Sequence, residues 1–401
     1  SFRPVLDGAV WDLQVTPDNK LIAAGQFTNA NGAANTLGLA KLDPTTGATD
    51  PTWRANVQYV QTTTPTSPAQ VKAVDLQGNW LYLGGRFNRV QGGTSGLITV
   101  GRAARVNINT GQPDGAWKPN FDGTIIELDA SDQGDRVYFS GYFNNVNATA
   151  SPMVATVSTA SGAPLVTGLG AWVPSIGSAV GKTYQQTIKE FGSQVWVGGS
   201  QHILSNYNRG DFARMRSSIT KAGGDFQAMA IANGVVYASC HCDLYEYSDT
   251  YNYTDPISTG SRTNAIKYIG AWDAVTGDFI DAFWPGALDT TNGNGVWALE
   301  VDPQGCLWFG GDIKQGSWTG TEFQWLGGFG KFCPRDTTAP TTPTNLQAVR
   351  SAGNLKLTWG ASSDAGSFTY QILRDDRVIG TVPSSATAFN TPDVTYAAKY
   401  F

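Results

Sequence analysis

Short hydrophobic strands that end in a pair of small residues recur along the chain as far as residue 335. In the clearest copy, Leu81–Phe87, three apolar residues precede Gly84-Gly85, and an arginine and a phenylalanine follow. Five further copies of this anchor strand, the last of them degenerate, are Leu21–Phe27, Val137–Phe143, Val195–Gly199, Leu307–Gly311 and Val235–Cys240. A repeat of one supersecondary unit is therefore the main signal in this sequence.

The residues around each anchor strand form the same unit. An alternating apolar strand and a polar turn precede it, and a loop, a third strand and a Thr-Gly or Ser-Gly turn follow. The predicted first strands are Val10–Val15, Val71–Leu76, Ile125–Leu128, Thr187–Phe191, Ala228–Ile231 and Val296–Val301. The predicted third strands are Gly38–Asp43, Arg102–Asn107, Val154–Ser158, Phe212–Arg216, Gly270–Asp273 and Gly328–Cys333. Four units end in a tryptophan that we expect to pack between units: Trp53, Trp117, Trp172 and Trp284.

Short strands at this spacing predict an all-β fold, namely a six-bladed β-propeller in which each unit is a four-stranded blade. Glycine would recur in the anchor strand because neighbouring blades approach closely there. Ser1-Phe2-Arg3-Pro4 resembles Ala116-Trp117-Lys118-Pro119, which follows the second unit. We therefore expect Phe2–Leu6 to form the outer strand of the last blade and to close the ring. A ring of seven blades would need residues upstream of Ser1.

The composition changes near residue 337. Residues 337–343 are rich in Thr and Pro, and they predict a linker between a propeller at 1–336 and a second domain at 344–401. Five segments of that domain alternate like the strands of an immunoglobulin-like sandwich: Leu346–Val349, Leu355–Trp359, Phe368–Asp375, Val378–Val382 and Ala388–Asn390. Because a complete sandwich of this class takes about 100 residues, we expect an incomplete one.

Two families resemble parts of the chain. The stretch from Val10 to Gly32, with its Pro17-Asp18-Asn19-Lys20 turn, resembles the delta-60 type propeller repeat of secreted bacterial proteins. Residues 340–401 resemble a fibronectin type III domain in Leu357-Thr358-Trp359 and Tyr370–Asp375, and Tyr400 stands where that family has its corner tyrosine. The resemblances imply a secreted or surface-attached protein, especially of actinobacteria. They imply no catalytic residues, because the delta-60 family has no defined catalytic set.

Charge and hydropathy exclude two classes of partner. The 401 residues carry a formal net charge of −5, and no basic run occurs among them, which argues against nucleic acid. No apolar run is long enough to predict a transmembrane segment.

The four cysteines predict an oxidising environment. Cys306 opens the strand of the sixth anchor and Cys333 ends the strand that should pair with it, so a disulfide between them is expected. That bond places the protein outside the cell. Cys240-His241-Cys242 has two interpretations. It is a structural pair, either a Cys240–Cys242 disulfide or two packed thiols, or, less favoured, part of a zinc or copper site, because His241 on a flat strand would point away from both cysteines.

The sequence offers no catalytic constellation. It contains two histidines, His202 and His241, and neither a Gly-x-Ser-x-Gly elbow nor a phosphate-binding loop. Acidic residues at the mouth of a propeller channel could still serve a glycoside hydrolase or lyase. The segments Asp302–Trp308 and Ser131–Gly134 are better explained as tight turns than as sialidase-type Asp-boxes. No cofactor is predicted. Asp129–Asp135 could bind calcium, but no motif supports it.

Aromatic residues outside the repeat register mark the predicted binding surface. They lie on long loops after the fourth, fifth and sixth anchors, where loops of a propeller emerge on one face. The candidates are Tyr207, Tyr245, Tyr247, Tyr251, Tyr253, Trp318 and Trp325. Packing of these loops on one another would explain the same residues without a ligand.

The sequence thus favours an extracellular, secreted or surface-attached, non-catalytic propeller that binds a glycan or a surface protein through the loops of blades four to six. The alternatives are a carbohydrate-active enzyme and a structural spacer in an adhesin or filament. No oligomeric state is predicted.

Overall fold

The fold of this chain is built from β-strands. The computed structural model describes residues 1–61, 68–171, 184–220, 224–250, 263–317, 322–334, 339–351, 353–364, 366–375, 377–392 and 399–400. Every regular element in these ranges is a strand, and all strand pairs are antiparallel, so the all-β prediction is confirmed. No helix of the described residues is long and apolar enough to cross a bilayer. The chain divides into two compact units, Ser1–Phe332 and Cys333–Phe401.

The strands follow in chain order. Those of the first three repeats are β1 (Ala9–Val15), β2 (Leu21–Gln26), β3 (Leu39–Leu42), β4 (Ala55–Gln58), β5 (Gln70–Gln77), β6 (Trp80–Arg86), β7 (Arg89–Gly92), β8 (Ser95–Thr99), β9 (Ala103–Asn107), β10 (Thr124–Ala130), β11 (Arg136–Tyr142), β12 (Asn145–Val146), β13 (Thr149–Ala150), β14 (Val154–Ser158) and β15 (Leu165–Val166). Those of the next three are β16 (Gln185–Phe191), β17 (Gln194–Gly199), β18 (Ile203–Asn208), β19 (Arg214–Thr220), β20 (Phe226–Ala232), β21 (Val235–Cys240), β22 (Tyr245–Ser248), β23 (Thr263–Ala265), β24 (Ile269–Asp273), β25 (Asp289–Thr290), β26 (Val296–Val301), β27 (Leu307–Gly311), β28 (Ile313–Gly316), β29 (Gln324–Trp325) and β30 (Phe329–Phe332). The second unit contains β31 (Thr344–Ser351), β32 (Asn354–Gly360), β33 (Thr369–Arg374), β34 (Arg377–Pro383) and β35 (Ala388–Pro392).

Six sheets of the first unit repeat one arrangement, in which the anchor strand pairs with the strand before it and the strand after it. Sheet 1 is β1-β2-β3, sheet 2 is β5-β6-β9, sheet 3 is β10-β11-β14-β15, sheet 5 is β20-β21-β24 and sheet 6 is β26-β27-β30. Sheet 4 has the order β16-β17-β18-β19 and is extended by β22 and β23. Consecutive first strands contact one another, from β1 to β5 and onward to β10, β16, β20 and β26. The sheets therefore stack in chain order.

Small residues in the anchor strands allow the sheets to pack closely. A Cβ atom on Gly84 of sheet 2 would lie 2.6 Å from Cγ2 of Ile125 on the first strand of sheet 3. A Cβ atom on Gly198 of sheet 4 would lie 2.7 Å from Cβ of Phe226 on sheet 5. Larger residues at these positions would force the sheets apart, which explains physically why glycine recurs in the repeat.

The closing tryptophans pack on the sheet that follows them. Trp117 is fully buried, and its Nε1 donates a hydrogen bond to the carbonyl oxygen of Ser158 in sheet 3, at 2.8 Å. Trp53 is also buried, as expected. Trp284 is 53% exposed, so its expected packing role is wrong, and Trp172 lies outside the described residues.

The N-terminal segment does not complete sheet 6, so that expectation is wrong. The amide of Arg3 donates to the carbonyl of Thr46, and the carbonyl of Val5 accepts from Asn31, so the segment lies along sheet 1. Leu6 forms a single bridge with Ala30. The Trp117 segment behaves in the same way. It follows the second repeat, yet it packs on sheet 3 rather than completing sheet 2.

The third strand of the fourth repeat is also displaced from its predicted position. It is β18, whereas the predicted Phe212–Arg216 overlaps the start of β19. A tight turn at residues 200–202 lets the chain reverse immediately after β17, and Gly198 pairs with Leu204. The hairpin therefore needs no loop of the length found in other repeats.

All four cysteines are in disulfides. Cys240 and Cys242 are bonded to each other, which removes the thiolates that a metal site would need. Cys306 and Cys333 are also disulfide-bonded and no cysteine is free, so they pair with each other, as predicted. Their neighbours Leu307 and Phe332 are directly paired in the ladder between β27 and β30, which sets the two cysteines opposite one another.

The second unit has two antiparallel sheets, β31-β32-β35 and β33-β34. Its core draws Leu355, Leu357 and Trp359 from one sheet and Tyr370 and Ile372 from the other. This arrangement is sandwich-like.

Candidate binding cavity

A cavity of about 1250 Å³ lies among the first strands of the six sheets. Residues of β1, β5, β10, β16, β20 and β26 all line it. Because every repeat contributes its first strand, the cavity is a property of the whole array rather than of one sheet. A concave space lined by several parts of the fold is a candidate ligand site.

Each first strand carries a β-bulge at the same place. The ladder with the anchor strand skips one residue in every sheet, between Val10 and Asp12 in sheet 1 and between Val296 and Ala298 in sheet 6. A bulge re-aims the extra side chain. The six bulge residues all line the cavity: Trp11, Lys72, Ile126, Gln186, Gln227 and Trp297. The repeat therefore presents one chemically variable side chain per sheet to a single space.

The second anchor glycine makes room for the bulge. A Cβ atom on Gly25 would lie 2.1 Å from the carbonyl oxygen of Ala9, and one on Gly85 would lie 2.1 Å from that of Gln70. No L-residue side chain fits at such distances. This glycine is consequently the sequence signal of the bulge beside it.

Two of the bulge residues are half-exposed tryptophans, Trp11 and Trp297. The ammonium of Lys72 lies 3.4 Å from the centroid of the Trp11 ring, a cation–π contact that holds the indole in place. Gln186 and Gln227 add amide groups that both donate and accept hydrogen bonds. The indole rings can stack on an apolar face of a ligand, while the glutamine amides and the lysine ammonium can hydrogen-bond its polar groups.

A charged cluster lies behind the bulge residues. The ammonium of Lys189 is 3.5 Å from Oε1 of Glu127 and 3.5 Å from Oδ1 of Asp129. Burial raises the pKa of Glu127 to about 7 and that of Asp129 to about 6, although Lys189 opposes both shifts. Burial alone would lower the pKa of Lys189, but the carboxylates around it, Glu127 foremost, raise it above its ordinary value. Lys189 is the cation of this cluster.

Three aspartates of this region tie each sheet to the next. Oδ2 of Asp12 accepts a hydrogen bond from the amide of Val74, and Oδ2 of Asp75 accepts one from the amide of Ala130, both at 2.7 Å. Oδ2 of Asp129 likewise accepts from the amide of Glu190 in sheet 4, at 2.7 Å. Each carboxylate thus satisfies a backbone donor of the neighbouring sheet. The three aspartates therefore have a structural role, since each one accepts a hydrogen bond that links two sheets.

A hydrogen-bonded chain supports Tyr142, which also lines the cavity. The rings of Tyr142 and Tyr184 lie with centroids 4.4 Å apart. The hydroxyl of Tyr184 donates to Oδ2 of Asp225 at 2.6 Å, and Oδ1 of Asp225 lies 3.2 Å from Nε2 of His202. This chain fixes the aromatic wall on one side of the cavity.

The free energy of unfolding is expected to fall as pH rises from about 4 to about 7. Burial raises the folded-state pKa of Asp12 to about 6 and that of Glu127 to about 7, above the ordinary values of 3.8 and 4.5. Between those limits the folded chain binds more protons than the unfolded chain, so stability is greatest on the acid side and is lost as pH rises. Urea unfolding at pH 5 and pH 7.5 measures this, with Glu127→Gln as the variant that should flatten the profile. A stability that rises over this interval would contradict it.

The predicted ligand-binding aromatics are dispersed. Tyr207 is buried in a core cluster with Tyr138 and Ile188, so its predicted surface role is wrong: its ring packs inside sheet 4. Tyr245 is exposed and Tyr247 half-buried on β22, which pairs with the edge of sheet 4. Trp325 is 82% exposed on β29, in a different sheet. The other three candidates lie outside the described residues: Tyr251, Tyr253 and Trp318.

The bulge residues cannot be found from an alternating pattern. Strict alternation assigns each strand residue to one of two faces and leaves no place for an extra residue. The signal is the second residue of the anchor strand, which is glycine in five repeats and Cys240 in the fifth, opposite a strand position that varies between repeats. Among the described residues, no three of His, Cys, Asp and Glu are grouped to hold a metal ion. No model of a known protein family matches the sequence.

Proposed function

We propose that the six sheets of residues 1–332 are blades of a β-propeller. The support is the stacking of like sheets in chain order and the cavity that their first strands line together. We propose further that the protein is extracellular, because two disulfides in one chain are typical of oxidising compartments. The second unit, with its sandwich-like core, would be a fibronectin type III module that serves as a spacer.

Within this propeller we propose a non-catalytic site that binds a glycan in the cavity. The observation that carries this proposal is the set of six bulges, each of which turns a side chain toward the same space. Sugar rings have an apolar face that stacks on an indole and hydroxyl groups that pair with amides and charged groups. The half-exposed rings of Trp11 and Trp297 and the amides of Gln186 and Gln227 supply both.

Binding is favoured over catalysis because three carboxylates of the cavity have structural partners. Asp12 and Asp75 accept backbone amides of neighbouring sheets, and Glu127 is paired with Lys189. A general acid or nucleophile must instead be free to reach the substrate. The site therefore has the composition of a binding surface.

Trp297→Ala is expected to weaken glycan binding at least tenfold, because an indole stacked on a sugar contributes about 1.4 kcal/mol or more. The measurement is a glycan array with the full chain, followed by calorimetric titration of the best ligand. Trp325→Ala is the matched control, since Trp325 is an exposed tryptophan remote from the bulge set. If Trp325→Ala lost binding while Trp297→Ala kept it, the ligand would bind on the loops, as the sequence suggested.

A carbohydrate-active enzyme is the second candidate, and one observation favours it. The pKa of Glu127, which burial raises to about 7, suits a proton donor at neutral pH. The test is a screen of chromogenic glycosides with the full chain and with Glu127→Gln. Turnover that this single change abolishes would replace the binding proposal with the enzymatic one.

A further inference from the structure

The two ends of the row of sheets each leave one apolar face uncovered. In the first strands, the residue that pairs with the second anchor position is Val10 in sheet 1, and it is 41% exposed. Its apolar counterparts in the other sheets are all 0% exposed: Val71, Ile125, Phe226 and Val296. Leu13, three residues on, is 57% exposed, whereas its counterpart in sheet 6, Leu299, is partly buried. The counterparts in sheets 2 to 5 are 0–6% exposed: Val74, Leu128, Ile188 and Met229.

Sheet 6 also exposes apolar surface, on the face that points away from sheet 5. Phe329 pairs with Gly310 and is 57% exposed. The residues at its position in sheets 1 to 5 are 0–1% exposed: Leu39, Ala103, Val154, Leu204 and Ile269. Around Gly310 itself, an added Cβ would meet only a backbone oxygen, 3.8 Å away, whereas Gly84 and Gly198 are in close contact with the next sheet.

These faces are the two halves of one interface. Between consecutive sheets, apolar residues of a first strand pack on the small residue of the preceding anchor strand, as Ile125 packs on Gly84. Sheet 1 carries the first-strand half of such an interface in Val10 and Leu13, and sheet 6 carries the anchor half in Gly310. Neither half has its counterpart in place.

Both open faces border the same space. Trp11 and Leu13 of sheet 1 line the cavity together with Trp297 and Leu299 of sheet 6. A sheet between them would extend, in both directions, the interface that the other five junctions already use. It would need an apolar first strand facing Gly310 and a small anchor residue facing Val10, which is what each sheet of this repeat provides.

We propose that one further β-sheet of this repeat packs between sheet 6 and sheet 1 and covers both apolar faces. Burial of Val10, Leu13 and Phe329 would drive the association, because removing exposed apolar side chains from water is favourable. The seventh sheet is independent of the ligand that the cavity binds, so a failed glycan experiment leaves it standing.

Cysteine labelling tests this proposal directly. All four native cysteines are in disulfides, so Leu13→Cys introduces the single free thiol. Labelling with a maleimide is followed in the full chain and in the same chain extended before Ser1 by a copy of residues 68–115, the second repeat. The thiol should react rapidly in the unextended chain and at least tenfold more slowly in the extended chain. Leu97→Cys on β8, also exposed, should react at the same rate in both.

The other outcomes overturn the proposal. Slow labelling of the unextended monomer would mean that sheets 1 and 6 close on each other. Slow labelling together with a dimer mass by light scattering would mean that a second copy covers the faces. A second extended chain carries a copy of residues 122–170, from the third repeat, in place of residues 68–115. It keeps the test informative if the first added copy does not fold. Rapid labelling in both extended chains would show that no sheet of this repeat fits the gap.

Discussion

Trp117→Ala is expected to lower the free energy of unfolding by about 4 kcal/mol, the middle of the range for removing a fully buried tryptophan. The indole is 0% exposed, and its ring lies edge-on to Tyr82 with centroids 5.1 Å apart. The guanidinium of Arg105 lies 5.4 Å from its centroid. Its Nε1 donates to the carbonyl of Ser158 in sheet 3, so the substitution also removes a partly buried hydrogen bond to that sheet.

Trp284→Ala is the matched control, because Trp284 ends the fifth repeat as Trp117 ends the second. It is 53% exposed, and its removal should change the unfolding free energy by less than about 0.5 kcal/mol. Urea unfolding of both variants, followed by circular dichroism, gives the two values. Equal losses would contradict the conclusion that Trp117 joins one sheet to the next while Trp284 does not.

Lys189→Met is expected to destabilise the fold by about 2 kcal/mol at pH 7.5, less than the loss of one partner from a fully buried ion pair, because the side chains of Lys189 and Glu127 are 29% and 25% exposed. Methionine keeps the length of the side chain but removes the cation that faces Glu127 and Asp129, each 3.5 Å away. The loss should shrink toward pH 5. Since the pKa of Glu127 is about 7 and that of Asp129 about 6, both carboxyls are then largely protonated in the folded state and need no cation.

Lys20→Met provides the comparison for this charge effect. Lys20 is 2.9 Å from Asp43, and the exposure of this pair is similar to that of Lys189 and Glu127. The hydrogen bond from Lys20 lowers the pKa of Asp43, so this carboxyl is ionised at both pH values and a small, pH-independent change is expected. The pH dependence is the informative readout, because a loss of packing alone would be equal at pH 5 and pH 7.5. A pH-independent loss in Lys189→Met would therefore mean that the cation is not what stabilises the cluster.

The sequence predicted the strands of the repeat well, because the period of two and the turn residues are local signals. All six predicted first strands overlap the first strands of the observed sheets, and five of the six predicted third strands overlap the strand that pairs with the other edge of the anchor strand. The exception, in the fourth repeat, arose because the length of the loop after β17 is set by a tight turn at residues 200–202 and not by the hydrophobic pattern.

The destination of a segment is harder to predict than its conformation. The sequence predicts Phe2–Leu6 in sheet 6, because Phe2, Arg3 and Pro4 match the aromatic, basic and proline positions of the segment around Trp117. However, the direction in which such a segment crosses is decided by contacts far away in sequence. Trp117 donates to Ser158 in the next sheet, and the N-terminal segment correspondingly packs along sheet 1. Similarity between two segments therefore does not predict which neighbouring sheet each one packs on.

The candidate site could be predicted only in part. Loop aromatics were a reasonable expectation, yet Tyr207 is buried, and the residues that converge on one cavity come from strands. A bulge is invisible to an alternating pattern because it breaks the alternation by one residue. The charged cluster around Lys189 was equally hidden, since its members are far apart in sequence and meet only when the sheets stack.

The disulfide between Cys306 and Cys333 has a mechanical consequence. The chain leaves the first unit directly after β30, an edge strand whose hydrogen bonds to β27 would open one by one under tension. With the Sγ–Sγ bond at the point of exit, a force on the C-terminal unit passes instead into Cys306 at the start of β27, the central strand of sheet 6. The last sheet would thus stay paired under such a force for as long as that bond stays oxidised.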